Sequence, residues 1–118
     1  MDIKECYDRL GGSYENVLRR LRSAKLIERF VVKFLSDKNY ELLCQSLENH
    51  DFETAFRAVH TLKGICLNLE FSRLYASSLK LTEALRSGEE ANLSELLTAV
   101  TEDYFQTKTA ILSLEQNG

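Results

Sequence analysis

Arg57-Ala58-Val59-His60-Thr61-Leu62-Lys63-Gly64-Ile65-Cys66-Leu67-Asn68-Leu69 is the stretch from which the rest of this 118-residue chain can be read. In and around it, apolar residues fall at Phe52, Ala55, Phe56, Val59, Leu62, Cys66 and Leu69, the spacing of one continuous helical stripe. With Val59 set to zero, the stripe centres near about −15° and His60 falls at about 100°, on the shoulder between core and water. Lys63 falls at about 40°, where its stem can run along apolar surface while the ammonium reaches solvent. Gly64, at about 140°, lies on the exposed side next to His60. Arg57 precedes His60 by one turn on the same flank. Leu67, at about 80°, is expected to pack at the edge of the core; partial exposure would place it with Phe56 in an apolar docking patch around His60.

A glycine inside a helix costs roughly 1 kcal/mol relative to alanine. The apolar period continues through Gly64 to Leu69, so nothing there calls for a turn. Bare backbone beside the imidazole is one explanation, because another macromolecule could then approach the ring without meeting a side chain. An ordinary imidazole titrates near about pH 6.5 and is mostly neutral and nucleophilic at pH 7. A lysine ammonium one turn away stabilises negative charge arriving on it. A nucleophile, a cation and a cleared approach together describe a histidine suited to accepting and donating a phosphoryl group. Arg57 fits the steering of an acidic partner or a solvated charge equally well.

His60-Thr61-Leu62-Lys63-Gly64 resembles the H-x-x-K-G core motif of the histidine-containing phosphotransfer (HPt) domain. Upstream, Leu47-Glu48-Asn49-His50-Asp51, Ala55 and Ala58 are similar to the family's approach to the motif; downstream, Leu67-Asn68-Leu69, Leu74, Leu81 and Gly88 fit its next helix. The likeness covers most of residues 3–115. It departs at Glu70, where the family often has glycine, which bears on the turn there but not on the histidine.

Composition agrees with a helical domain. Proline is absent, there are five glycines, and 44% hydrophobic with 28% charged residues is ordinary for a globular chain. The length fits one domain, residues 1–118. A formal net charge of −3 with mixed signs gives no basic footprint for nucleic acid and no polybasic patch for a membrane. No apolar run approaches the ~18 residues of a membrane span, and Met1-Asp2-Ile3-Lys4-Glu5 lacks the apolar core of a secretion signal. Cys6, Cys44 and Cys66 are odd in number and widely spaced, which suits a reducing, cytoplasmic setting and buried apolar roles rather than a metal site.

In chain order, residues 2–10 read as a short helix stopped by Gly11-Gly12, and Ser13 caps a second through Leu21. Ser23 caps a helix to about Ser36; another follows to about Asn49, and Asp51 caps the one holding His60. A helix over 72–87 stops at Gly88, with Ala76, Ser77 and Ser78 small enough for close approach to the His60 helix. Asn92 with Glu95 resembles a capping box before the last helix. His50 reads as structural, near a helix C-terminus. Links of a few residues predict antiparallel neighbours. The expected fold is therefore all-α: an antiparallel up-down-up-down four-helix bundle within 23–116, or 37–116 if the third helix only packs across it. The short helices of 1–22 would cap one end.

The resemblance implies a phosphorelay carrier. A receiver domain bearing phosphoaspartate, or a hybrid histidine kinase, would dock over His60, and the group would pass to Nε2 and on to another receiver aspartate. The receiver would bring its own Mg²⁺; the chain itself needs no cofactor or metal and has no turnover of its own. Phosphate-supporting Lys63 and the docking residues Gly64, Arg57, Phe56 and Leu67 complete the expected site, on a monomer. Two alternatives stay open: a module that docks receivers without transfer, and the substrate domain of a histidine kinase. No phosphate-cradling glycine loop supports ATP binding, and Ser77 and Ser78 lack a base-and-acid partner set.

Overall fold

Four helix starts are written into the sequence as side-chain caps. Asp2 accepts a hydrogen bond from the Glu5 N–H at 2.9 Å ahead of α1 (Ile3–Leu10), and Ser13 accepts from Asn16 at 3.2 Å ahead of α2 (Tyr14–Leu21). Ser23 accepts from Leu26 at 3.1 Å ahead of α3 (Ala24–Lys33). Three further helices follow: α4 (Asn39–Glu48), α5 (Phe52–Leu69) and α6 (Ser72–Arg86). The α5 cap is Asp51, which accepts from the Thr54 N–H at 3.2 Å. Hydrogen bonds from the Thr54 side chain and N–H hold the Asp51 carboxyl below its ordinary range. The last helix is α7 (Leu93–Gln116). This computed structural model describes residues 1–116; the domain end expected at 118 lies outside them. The described residues are all-helical, with no strand.

The expected capping box at Asn92 and Glu95 makes no side-chain hydrogen bond among the described residues, although α7 does start after Asn92; the other caps and breaks fall where residue chemistry placed them, with two adjustments. The third helix does not run unbroken to Ser36: it ends at Lys33 and closes through a tight 3-10 turn, Phe34–Ser36. Of the three small residues on α6, Ser77 and Ser78 are buried, whereas Ala76 is exposed and contributes nothing to close approach.

Packing centres on α5, whose most extensive contacts are with α6 and α4; α6 in turn packs on α7. By comparison α3 touches α5 and α7 sparingly, and α1 lies chiefly against α7. One apolar core joins them, from Cys6 and Tyr7 of α1 to Ala110 and Ile111 of α7. An aromatic cluster knits one region of it: Phe71 lies 6.2 Å from Tyr7 and 5.2 Å from Phe34 between ring centroids, and Phe34 lies 6.1 Å from Tyr104. Fully burying a ring such as Phe71 contributes about 1.5–3 kcal/mol. Burial also pushes the Cys6 thiol up to about 11 and the Cys66 thiol higher still, so both remain neutral thiols. All three cysteines are free, with Cys44 half-buried.

The turn after α5 is fixed from outside. Glu70 takes a left-handed φ of 53°, a conformation that glycine adopts without strain. Gly12 sits directly against it: a Cβ at residue 12 would run into the Glu70 carbonyl oxygen. Arg20 donates to the Asn68 carbonyl at 3.0 Å and reaches the Glu70 carboxylate at 3.7 Å. The first two helices thus clamp the C-terminal end of the helix that carries His60.

Candidate functional site

The α5 helix presents two different edges because its apolar stripe is narrower than its circumference. Val59, Leu62, Cys66 and Ala55 are fully buried and fix its rotation. His60 is exposed, one residue past Val59, and no hydrogen bond engages its ring nitrogens among the described residues. Phe56, one turn earlier and half-buried, packs its ring 5.6 Å from the imidazole at an interplanar angle of 39°. That contact limits ring rotation while leaving the outer edge open.

Lys63 is half-buried and makes no ion pair among the described residues, so its ammonium is available to an incoming anion. Gly64 has nothing within 4 Å of the position its Cβ would occupy. The glycine is therefore not a packing device; it leaves backbone uncovered beside the histidine. Arg57 is exposed and 3.6 Å from Glu53, an i,i+4 pair of two solvated side chains that contributes little. Thr61 turns its hydroxyl back to the Arg57 carbonyl at 2.9 Å and takes no part in the open face.

Of the two placements open for Leu67, the core edge and an exposed patch with Phe56, the structure shows the exposed one. It is 50% exposed. At the shoulder of the wheel, burial depends on whether a neighbouring helix reaches that far, and here none covers it. Leu67 therefore belongs to the outer surface of α5. His50 is exposed with φ 55° and lies edge-on to Phe52 at 5.8 Å, in the link between α4 and α5, away from any assembled group.

One neighbour was not legible in the sequence. Arg86, in the last turn of α6, places its guanidinium 5.5 Å from the Phe56 ring centroid and is held by Glu83 at 2.8 Å. Arg86, Phe56 and His60 thus form a continuous surface across two helices. Only the α5–α6 packing brings them together, and no local signal near Arg86 announces it.

Among the described residues, no group of three or more His, Cys, Asp or Glu side chains is placed to hold a metal ion, and no helix is long and apolar enough to cross a membrane. The arrangement offers an accessible imidazole, a free amine and open main chain, which is chemistry for receiving a group from a large partner. The family model of the Hpt domain matches residues 33–116, and the chain belongs to that family. Hpt domains are phosphocarrier modules of two-component phosphorelay signalling, working with receiver domains and histidine kinases. Comparison with curated proteins and with solved structures gives no match.

Proposed function

We propose that His60 is the phosphoacceptor of this Hpt domain and that the chain relays a phosphoryl group between receiver aspartates. The observation that carries this reading is the pairing of an exposed, unbonded His60 ring with an empty position at Gly64. In the step, the Nε2 lone pair attacks phosphorus as the P–O bond of the acyl phosphate breaks. The receiver's carboxylate leaves with that electron pair, and the ring keeps its proton on Nδ1. The reverse step on a second receiver discharges the histidine. The partner's receiver supplies Mg²⁺ and most of the stabilisation of transferring charge. This chain contributes a positioned nucleophile, with Lys63 attracting phosphate oxygens and Phe56, Leu67, Gly64 and Arg57 shaping the docking face.

Rigid placement matters because in-line transfer is sensitive to errors of about 1 Å. The α5 helix has such placement, wedged between α4 and α6 and clamped at the Glu70 turn. Links of two or three residues between α4, α5 and α6 support an up-down-up-down arrangement of α4–α7, with α1 and α2 covering one end of a single domain. We read the protein as a cytoplasmic monomer and a carrier without turnover of its own.

The test is incubation with a phosphorylated receiver. Acid-labile, alkali-stable label on this chain supports transfer. A stable complex without label would make it a docking module instead. A Lys63→Ala variant should transfer more slowly, and unchanged kinetics would remove Lys63 from the site.

A further inference from the structure

The even mixing of charge along the chain as a whole hides a local concentration. Between residues 19 and 38 there are seven lysines and arginines against only Glu28 and Asp37, in a protein of net charge −3. This segment spans the end of α2, all of α3 and the 3-10 turn, and it folds against the C-terminal half of α5. The contact leaves a half-open groove of about 620 Å³. Its floor is the buried pair Phe34 and Leu69; its walls are Leu21, Phe30 and Ile65. Phe30 is 39% exposed although it stands in the apolar stripe of α3, so its outward face is uncovered.

The rim is cationic. Lys33 and Lys38 line the groove, both are exposed, and neither makes an ion pair or side-chain hydrogen bond among the described residues. Arg20 also lines it but is already committed to Asn68 and Glu70. Asp37, the one acidic lining residue, spends both carboxylate oxygens on Asn39, at 3.0 and 2.9 Å. Asp37 keeps its charge, but it pairs with neither lysine, and Lys33 and Lys38 together outweigh it at the rim. An apolar trough of this volume lies in the range of small-molecule sites, which are mostly apolar with a few placed polar groups.

We propose that this groove binds a small amphipathic anion: a single apolar chain or ring body lying between Phe30 and Ile65, with a carboxylate-type head at Lys33 and Lys38. Charge complementarity selects the head, and the apolar floor selects the body. The trough is recessed between helices, which fits one monomeric ligand better than the plane of a membrane. The site is separate from His60 and stands whether or not His60 carries phosphate. Leu21 and Phe30 precede the region matched by the family, whereas Lys33, Phe34, Lys38, Ile65 and Leu69 lie within it, so the groove forms where the N-terminal segment meets the family's region.

The test is titration of the isotope-labelled full chain with sodium decanoate below its micelle-forming concentration, followed by amide chemical shifts. Sodium acetate supplies the head alone and 1-decanol the tail alone. The expected result is saturable, one-to-one shifts confined to the surroundings of Leu21, Phe30, Ile65 and Leu69, with decanol about tenfold weaker and acetate without effect. Lys33→Ala/Lys38→Ala, at two exposed positions, should weaken decanoate about tenfold while leaving decanol unchanged. Phe30→Ala should weaken both. Equal decanoate affinity in the double lysine variant would overturn the proposal, as would shifts scattered over the surface. Sedimentation with phosphatidylglycerol vesicles in the absence of free-decanoate binding would also overturn it, in favour of a membrane-facing basic patch.

Discussion

Gly64 and Gly12 are both glycines in a chain that has few, and they are glycines for opposite reasons. Around Gly64 there is open space; against Gly12 the Glu70 carbonyl stands where a Cβ would be. The first leaves room for something outside the molecule, the second for the molecule itself. Under the proposed function, the contrast separates a surface left open to a receiver from a region closed against the end of α5. The N-terminal helices belong to the closed region, because through Gly12, Arg20 and Tyr7 they fix the turn that ends α5.

Alanine at each position sharpens the contrast most. Gly12→Ala forces a backbone clash and should destabilise by about 3 kcal/mol, at the upper end of overpacking costs. Gly64→Ala should stabilise by about 0.5–1 kcal/mol, because a helix interior prefers alanine and nothing is in the way. Denaturant unfolding of both variants checks this; equal effects would dissolve the distinction.

A bulkier change at Gly64 moves the reading from stability to function. Gly64→Leu should fold normally but slow phosphotransfer from a receiver by about tenfold or more, a loss of about 1.4 kcal/mol of docking or transition-state stabilisation. Full transfer activity in that variant would mean that the open space at Gly64 serves no partner.

The Glu70 turn offers a smaller effect with a decidable sign. Left-handed backbone costs a non-glycine residue about 1–2 kcal/mol, whereas a partly exposed pair such as Arg20–Glu70 contributes about 0–1 kcal/mol. Glu70→Gly should therefore be more stable than the parent, by about 1 kcal/mol on these two magnitudes. A clear loss of stability would show that the Arg20–Glu70 contact matters more than its exposure suggests.

Much of the fold was readable from the sequence, and the reason is locality. Ser13, Ser23 and Asp51 cap helices through bonds to residues three positions away, and the stripe through Val59, Leu62 and Cys66 sets which way α5 faces. Which of its two open placements Leu67 takes was not decidable from the sequence, for the opposite reason. Its angle on the helix was sound, but burial at a shoulder is decided by how far neighbouring helices extend. Arg86 over Phe56, Gly12 against Glu70 and the groove beside Phe30 share that character: each joins segments distant in sequence, and no spacing rule reports them. Cys44, half-buried beside two fully buried thiols, makes the smallest test of the packing. A thiol reagent at neutral pH should label Cys44 first and leave Cys6 and Cys66 unreacted until the chain unfolds; early labelling of Cys66 would mean that α5 is not held as described.

The most direct measurement is mass-spectrometric localisation of phosphate after brief reaction with a phosphorylated receiver, with samples kept at alkaline pH. Phosphate is expected on His60 in the parent and nowhere in a His60→Gln variant whose helicity and unfolding transition are unchanged. Phosphate on another residue, or undiminished labelling of His60→Gln, would contradict the assignment of His60 as the phosphoacceptor.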